Sequence, residues 1–169
     1  WRLPVCVKSS EITYELDTIS DGCWGALGGG AALVYLLQRY TWDGQDQVHI
    51  YLYSGSSSLN PLLTPHHQVD SEMIGLQLAQ KEVHRALLDL GQFLGSKLPK
   101  PRLISDSKTA LCLMTKPAVT LVLGTGLLAA RIQDTFGGGE KESGLFYAPG
   151  AAFSDNIDLL TRYDALLCD

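Results

Sequence analysis

This chain has no stretch of about 18 uncharged apolar residues, so nothing in it reads as a membrane-crossing helix. It also lacks any C-x-x-C spacing. Cys6, Cys23, Cys112 and Cys168 are scattered, which argues against a zinc site and against a disulfide framework, and for a reducing, intracellular setting. Basic residues are few, 13 Lys and Arg against 18 Asp and Glu, for a net charge of -5. Such a balance disfavours a protein whose main task is to coat nucleic acid, because neutralising phosphates needs clustered cations. It leaves open an enzyme that acts on nucleic acid with its acids gathered around metal ions. The amino terminus "WRLPVCVKSS" has neither an initiator Met nor a basic leader, and it reads as a segment of a longer polypeptide. Repeats and low-complexity tracts are missing as well.

What is present is 46% hydrophobic residues over 169 positions, enough for a single globular domain spanning 1–169. "EITYELDTIS" alternates apolar and polar, "AALVYLLQRY" is a continuous apolar run, and "VHIYLYSG" is rich in β-branched and aromatic residues. These are three strands of an antiparallel meander. "GALGGGAA" lacks the Lys-Ser/Thr of a phosphate loop and leads into a strand, so it reads as a tight hairpin. "SSSLNPLLTPHHQ" reads as a connection. From Asp70 the period turns helical through Ile74, Leu78, Val83, Leu87, Leu90 and Leu94, with Asp70 or Ser71 as N-cap and an end near Gly95. "PRLISDS" is a buried strand, "KTALCLMTK" a short helix, and "VTLVLGTGLLAARIQDTF" a helix despite Gly124 and Gly126. "GGGEKESG" is a loop, "LFYAP" a last strand, and "SDNIDLLTRYDALL" an amphipathic closing helix. The order β β β α β α α β α predicts an α/β fold with a mixed five-stranded sheet, antiparallel on one side and parallel on the other, flanked by helices.

That topology has a chemical consequence. Asp21 ends the first strand and Asp106 the fourth, and parallel neighbours bring both to the carboxyl edge where open α/β sheets bind ligands. Glu72 falls in the first turn of the long helix and Asp158 in the first turn of the last one, where both can overhang that edge. Four carboxylates at one point repel each other unless cations hold them, and hard oxygen donors suit Mg²⁺ or Mn²⁺. Two ions roughly 4 Å apart can activate a water and stabilise the leaving oxygen of a phosphodiester displacement.

At these residues the chain resembles ribonuclease H. "ISDGC" is similar to the family's first-strand signature, "HHQVDSEMIGLQLAQ" to its helix-borne glutamate segment, "LISDSKTAL" to its strand-four aspartate, and "FYAPGAAFSDNIDLLTR" to its closing segment. The ordered set spans about Ile12 to Leu167. Within the superfamily, "SDSKTALCLM", "LLAARIQDTF" and "YAPGAAFSDNIDLLTR" are most similar to domains of reverse-transcribing elements, in particular BEL/Pao-type LTR retrotransposons. The resemblance implies a ribonuclease H-like fold, cleavage of the RNA strand of RNA/DNA hybrids, and two Mg²⁺ or Mn²⁺ ions held by Asp21, Glu72, Asp106 and Asp158. It also implies an attached reverse transcriptase, and an isolated domain that is monomeric and without a membrane. Departures are visible too. The loop before the last acid, "YAPGAAF", has no histidine, "DNID" stands for the usual Asn-x-Ala-Asp so that Asp155 competes with Asp158, Cys23 replaces a serine, and Asp17 competes with Asp21.

Taken singly, each acid has an ordinary explanation: Asp21 a turn aspartate before glycine, Glu72 a helix-dipole acid, Asp106 an N-cap, Asp158 a solvated helix residue. Convergence of the set is what favours a metal site. Lys108, Arg131 and Arg162 are candidate substrate contacts, with Lys116 behind them. His66 and His67 read as loop residues, and Trp24 and Trp42 as packing residues. The competing reading is a catalytically silent ribonuclease H-like scaffold or nucleic-acid-binding module of a reverse transcriptase or host-adopted protein. An integrase-like domain would place its glutamate last rather than second.

Overall fold

A computed structural model describes residues 8, 11–23, 28–59, 68–95, 100–137, 143–153 and 157. Five strands form one sheet in the order β3-β2-β1-β4-β5. They are β1 (Thr13–Cys23), β2 (Gly29–Trp42), β3 (Gln45–Leu59), β4 (Pro101–Ser105) and β5 (Leu145–Tyr147). The first three pair antiparallel, β4 lies parallel to β1, and β5 lies parallel to β4. Helices α1 (Gln68–Leu94), α2 (Lys108–Met114) and α3 (Leu123–Phe136) complete the described architecture. This is the mixed five-stranded sheet, antiparallel on one side and parallel on the other, that the sequence predicts.

Local chemistry accounts for the elements. In β1 the side chains of Leu16, Thr18 and Ser20 are buried while Glu15, Asp17 and Ile19 are half-buried, the period-two signature of a strand with one face in the core. Asp43 and Gly44, both with positive φ, form the two-residue link between β2 and β3, the Asp-Gly turn whose twist matches a hairpin. The third strand runs to Leu59, so Ser56 to Ser58, expected in a connection, pair instead with Ala32, Ala31 and Gly30. A bulge at Val34/Tyr35 shifts the register there. It keeps the hydroxyls of Ser54 and Ser56 buried.

The long helix begins at Gln68, two residues before the expected cap, so Asp70 and Ser71 are helical and Glu72 is past the first turn. Its buried stripe also differs from expectation. Leu76, Ala79, Val83, Ala86 and Leu90 are buried, whereas Leu78, Leu87 and Leu94 are only partly covered. Small residues on the sheet-facing side let the helix approach closely, and the larger leucines splay to the flanks. Against this stripe pack Leu16, Ala32, Val34 and Leu103 from the sheet and Met114, Ile132 and Phe136 from α2 and α3, forming the main core. A smaller cluster on the opposite face joins Ala31, Leu33 and Ile157 with Ile19, Tyr35 and Ile104.

Ser107 caps α2, its hydroxyl accepting from the Ala110 N–H at 3.3 Å, which frees Asp106 from a capping role. The segment expected as one helix from Val119 is divided: Ala118–Thr120 is a short 3-10 turn, Val122 is extended, and α3 starts at Leu123. The expected last helix lies outside the described residues apart from Ile157, as do most of "GGGEKESG" and residues 60–67. No helix among the described residues is long and apolar enough to cross a membrane.

Candidate metal centre

The three described acids of the predicted set meet. Asp21, Glu72 and Asp106 each offer an oxygen, and these atoms all lie within 4.8 Å of one another. Asp21 comes from the end of β1, Asp106 from the residue after β4, and Glu72 from α1 above them. Parallel pairing of β1 and β4, with Ser20 opposite Ser105, places the first two at one edge.

Glu72 arrives by an unusually close docking of helix on sheet. A Cβ at Gly22 would stand 2.5 Å from the Glu72 nitrogen, and one at Gly75 would stand 2.5 Å from the Asp21 carbonyl oxygen. A Cβ at Gly30, the residue paired with Gly22 across β1 and β2, would collide with the Gly75 nitrogen. Backbone therefore rests on backbone here. The sequence displays these glycines, and their meaning shows only once helix and strands are brought together; a glycine three residues after Glu72 on the buried face of a helix was the available signal.

Electrostatics follow from the packing. Asp21 and Glu72 are 7% and 4% exposed. Burial, then the charges of Asp106 and Asp21, push the Glu72 carboxyl up to about 8, against a smaller opposing effect of the Gly22 backbone hydrogen bond. A carboxyl so disfavoured as an anion gains most from a cation. Hard oxygen donors, clustered and partly buried, fit a divalent ion such as Mg²⁺ or Mn²⁺.

The other predicted residues divide. Asp17 is not part of the triad: it lies four residues before Asp21 on β1 and is bound to Arg102, whose Nε and second guanidinium nitrogen donate to its carboxylate at 2.6 and 2.8 Å. Lys108 opens α2 beside Asp106, lines the same cleft as Glu72, and sits with its ammonium 4.5 Å from the Tyr147 ring centroid. Tyr147, which pairs with Ser105 in the sheet, is the neighbour that sequence reasoning missed; nothing local marks it, since the contact depends on β4 and β5 lying side by side. Arg131 is exposed on α3 and does not line the cleft shared by Glu72, Asp106 and Lys108. Trp42, expected to pack, is 41% exposed at the distant end of β2. Asp158, its alternative Asp155, Arg162, His66, His67 and Trp24 lie outside the described residues.

No protein-family profile and no curated protein matches the chain. Among solved structures it is similar to LC11-RNase H1, isolated from compost by a metagenomic approach, at 19% identity over 90% of this chain and 98% of that one, with a TM-score of 0.40. A second structure, LC11-RNase H1 in complex with an RNA/DNA hybrid, is 16% identical over 90% and 99% of the two chains, again with a TM-score of 0.40.

Proposed function

We propose that the chain is a divalent-metal-dependent ribonuclease H domain that cuts the RNA strand of RNA/DNA hybrids during reverse transcription. The resemblance of its motifs to BEL/Pao-type retrotransposon domains is what suggests a single domain of a polyprotein, working beside an attached reverse transcriptase. The observation that carries the reading is the meeting of Asp21, Glu72 and Asp106 within 4.8 Å at the carboxyl edge of β1 and β4. Asp158 is the fourth acid of the proposed set.

Asp21, Glu72 and Asp106 would hold the metal, and a pair of bound divalent ions supplies an activated water and stabilises the leaving oxygen. The chain's own residues do the rest. Asp21 lies on β1 and Asp106 directly follows β4, each one residue beyond the paired Ser20 and Ser105, so the sheet brings the two to one edge. Glu72, its carboxyl raised to about 8, holds a proton near neutrality and gives it up when a cation replaces it. Lys108 is a proposed contact to a phosphate of the substrate backbone, supported by its position beside Asp106 and over Tyr147. Arg131 and Arg162 are further proposed contacts to the hybrid. Selection of RNA rests on 2′-hydroxyl contacts along the minor groove.

The test is incubation of the protein with an end-labelled RNA/DNA hybrid in Mg²⁺, Mn²⁺ or chelator. Divalent-dependent cleavage of the RNA strand alone, leaving 3′-hydroxyl and 5′-phosphate ends, is the expected result. Products ending in 2′,3′-cyclic phosphate would refute the mechanism, and an intact hybrid in every condition would favour a catalytically silent module.

A further inference from the structure

We infer that Gly75, acting with Gly22 and Gly30, is the positioning residue that sets the separation between the Asp21 and Glu72 carboxylates and thereby the site's preference for a small divalent ion. The inference rests on the metal-site reading above. Its basis is reciprocal: the glycine after Asp21 abuts the backbone of Glu72, and the glycine one turn after Glu72 abuts the backbone of Asp21. Each carboxylate-bearing residue is thus touched by the glycine of the opposing element. Gly30 completes the seat from β2.

Such contacts have no slack. Restoring ordinary contact at Gly75 requires α1 and β1 to part by about 0.9 Å, from 2.5 to 3.4 Å, and the obstructing atoms are backbone rather than the end of a flexible side chain. Glu72 sits on the same turn and moves with the helix. A Mg²⁺ ion demands near-ideal octahedral geometry at about 2.0–2.1 Å, whereas Ca²⁺ accepts six to eight oxygens at about 2.3–2.6 Å in flexible arrangements. Opening the seat by nearly 1 Å therefore penalises Mg²⁺ far more than Ca²⁺. Gly91 supplies the control: it lies in the same helix with nothing within 4 Å of a built Cβ, so alanine there gains helix propensity without moving the helix.

The experiment is calorimetric titration of Mg²⁺ and of Ca²⁺ into the wild type, Gly75→Ala, Gly30→Ala and Gly91→Ala, with a thermal melt of each. Gly75→Ala and Gly30→Ala should lose about tenfold or more in Mg²⁺ affinity and about threefold or less in Ca²⁺ affinity. Hybrid cleavage in Mg²⁺ should fall about a hundredfold, the usual consequence of a 1 Å misplacement. Gly91→Ala should match the wild type in both titrations and melt slightly higher. To keep the clashing variants folded, each is also made in the Gly91→Ala background. A folded Gly75→Ala that binds Mg²⁺ like the wild type overturns the inference, as do parallel losses for both ions. Unfolding of both clashing variants in that background assigns the glycines to stability and overturns it equally. A wild type that binds neither ion instead refutes the metal site itself.

Discussion

The raised carboxyl of Glu72 makes the metal-free protein sensitive to pH in a direction opposite to that of an ordinary salt-bridged acid. In the unfolded chain Glu72 ionises near its ordinary value of 4.5, and in the folded chain near 8. Between those values the folded state holds a proton that the unfolded state has released, so each rise in pH favours unfolding. Stability from this group is complete below about 4.5 and is lost as pH climbs through about 8. The span corresponds to about 5 kcal/mol between the ends of the range, an order-of-magnitude figure in which burial is the largest cause and the Asp106 and Asp21 charges the next. For a domain of this size about 1 kcal/mol moves the melting temperature by about 2–4 °C, so the fall across the range is on the order of 10 °C. The assay is a series of thermal melts from pH 5 to 9 in chelator and again in saturating Mg²⁺. Glu72→Gln should flatten the chelator curve, and Mg²⁺ should flatten that of the wild type by stabilising the ionised form. If Glu72→Gln keeps the wild-type slope, the crowding of Glu72 by burial and by its two neighbours has been misread.

Three further outcomes follow from the same geometry. Asp106→Asn removes one charge from beside Glu72 while keeping the side-chain shape, so it should abolish hybrid cleavage, leave the apo protein at least as stable, and shrink the melting shift produced by Mg²⁺; retained cleavage would discard the nuclease reading. Asp17→Asn breaks the pair with the partly exposed Arg102, at 2.6 Å, and should cost about 1 kcal/mol or less in urea unfolding with cleavage unchanged. Leu76→Ala empties a fully buried position on the helix that carries Glu72 and should lower unfolding free energy by about 2–5 kcal/mol; a loss under 1 kcal/mol would contradict the core described for α1.

The strands and the long helix were legible because each declares its period. β1 alternates along its length, and the helical stripe is long enough that a shift of two residues at its start does not obscure it. The errors share a cause. Sequence reading weighs large apolar side chains: Val83 and Leu90 of its expected stripe are buried, but Leu78, Leu87 and Leu94 are only partly covered, and the small residues Gly75, Ala79 and Ala86 that it passed over are buried against the sheet. Serines at 56 to 58 looked like a loop because small polar residues usually mark one, yet β2 pairs with them and extends the strand to Leu59. The division before α3 was hidden because the break at Leu121 and Val122 carries no Gly or Pro, while the glycines that do stand nearby, Gly124 and Gly126, fall inside the helix.

The candidate site was legible for a different reason. Asp21 and Asp106 needed only the topology, since parallel neighbours bring their carboxyl ends to one edge, and the observed register then sets Ser20 opposite Ser105. Glu72 needed a distance, which pattern cannot supply. How near a helix comes to a sheet depends on which side chains stand between them, and at Gly22, Gly30 and Gly75 there are none, so backbone lies against backbone. The same closeness that delivers Glu72 to the aspartates also removes water from it, and so raises its carboxyl to about 8. Fold and chemistry are therefore coupled through one structural parameter, the height of α1 above β1. Raising the helix would relieve the electrostatic crowding and stabilise the metal-free protein against high pH, and it would also spread the donors that a small cation needs. A variant in which stability at high pH and Mg²⁺ affinity rise together would break that coupling, because it would show that the donors can be held close without the crowding that closeness brings.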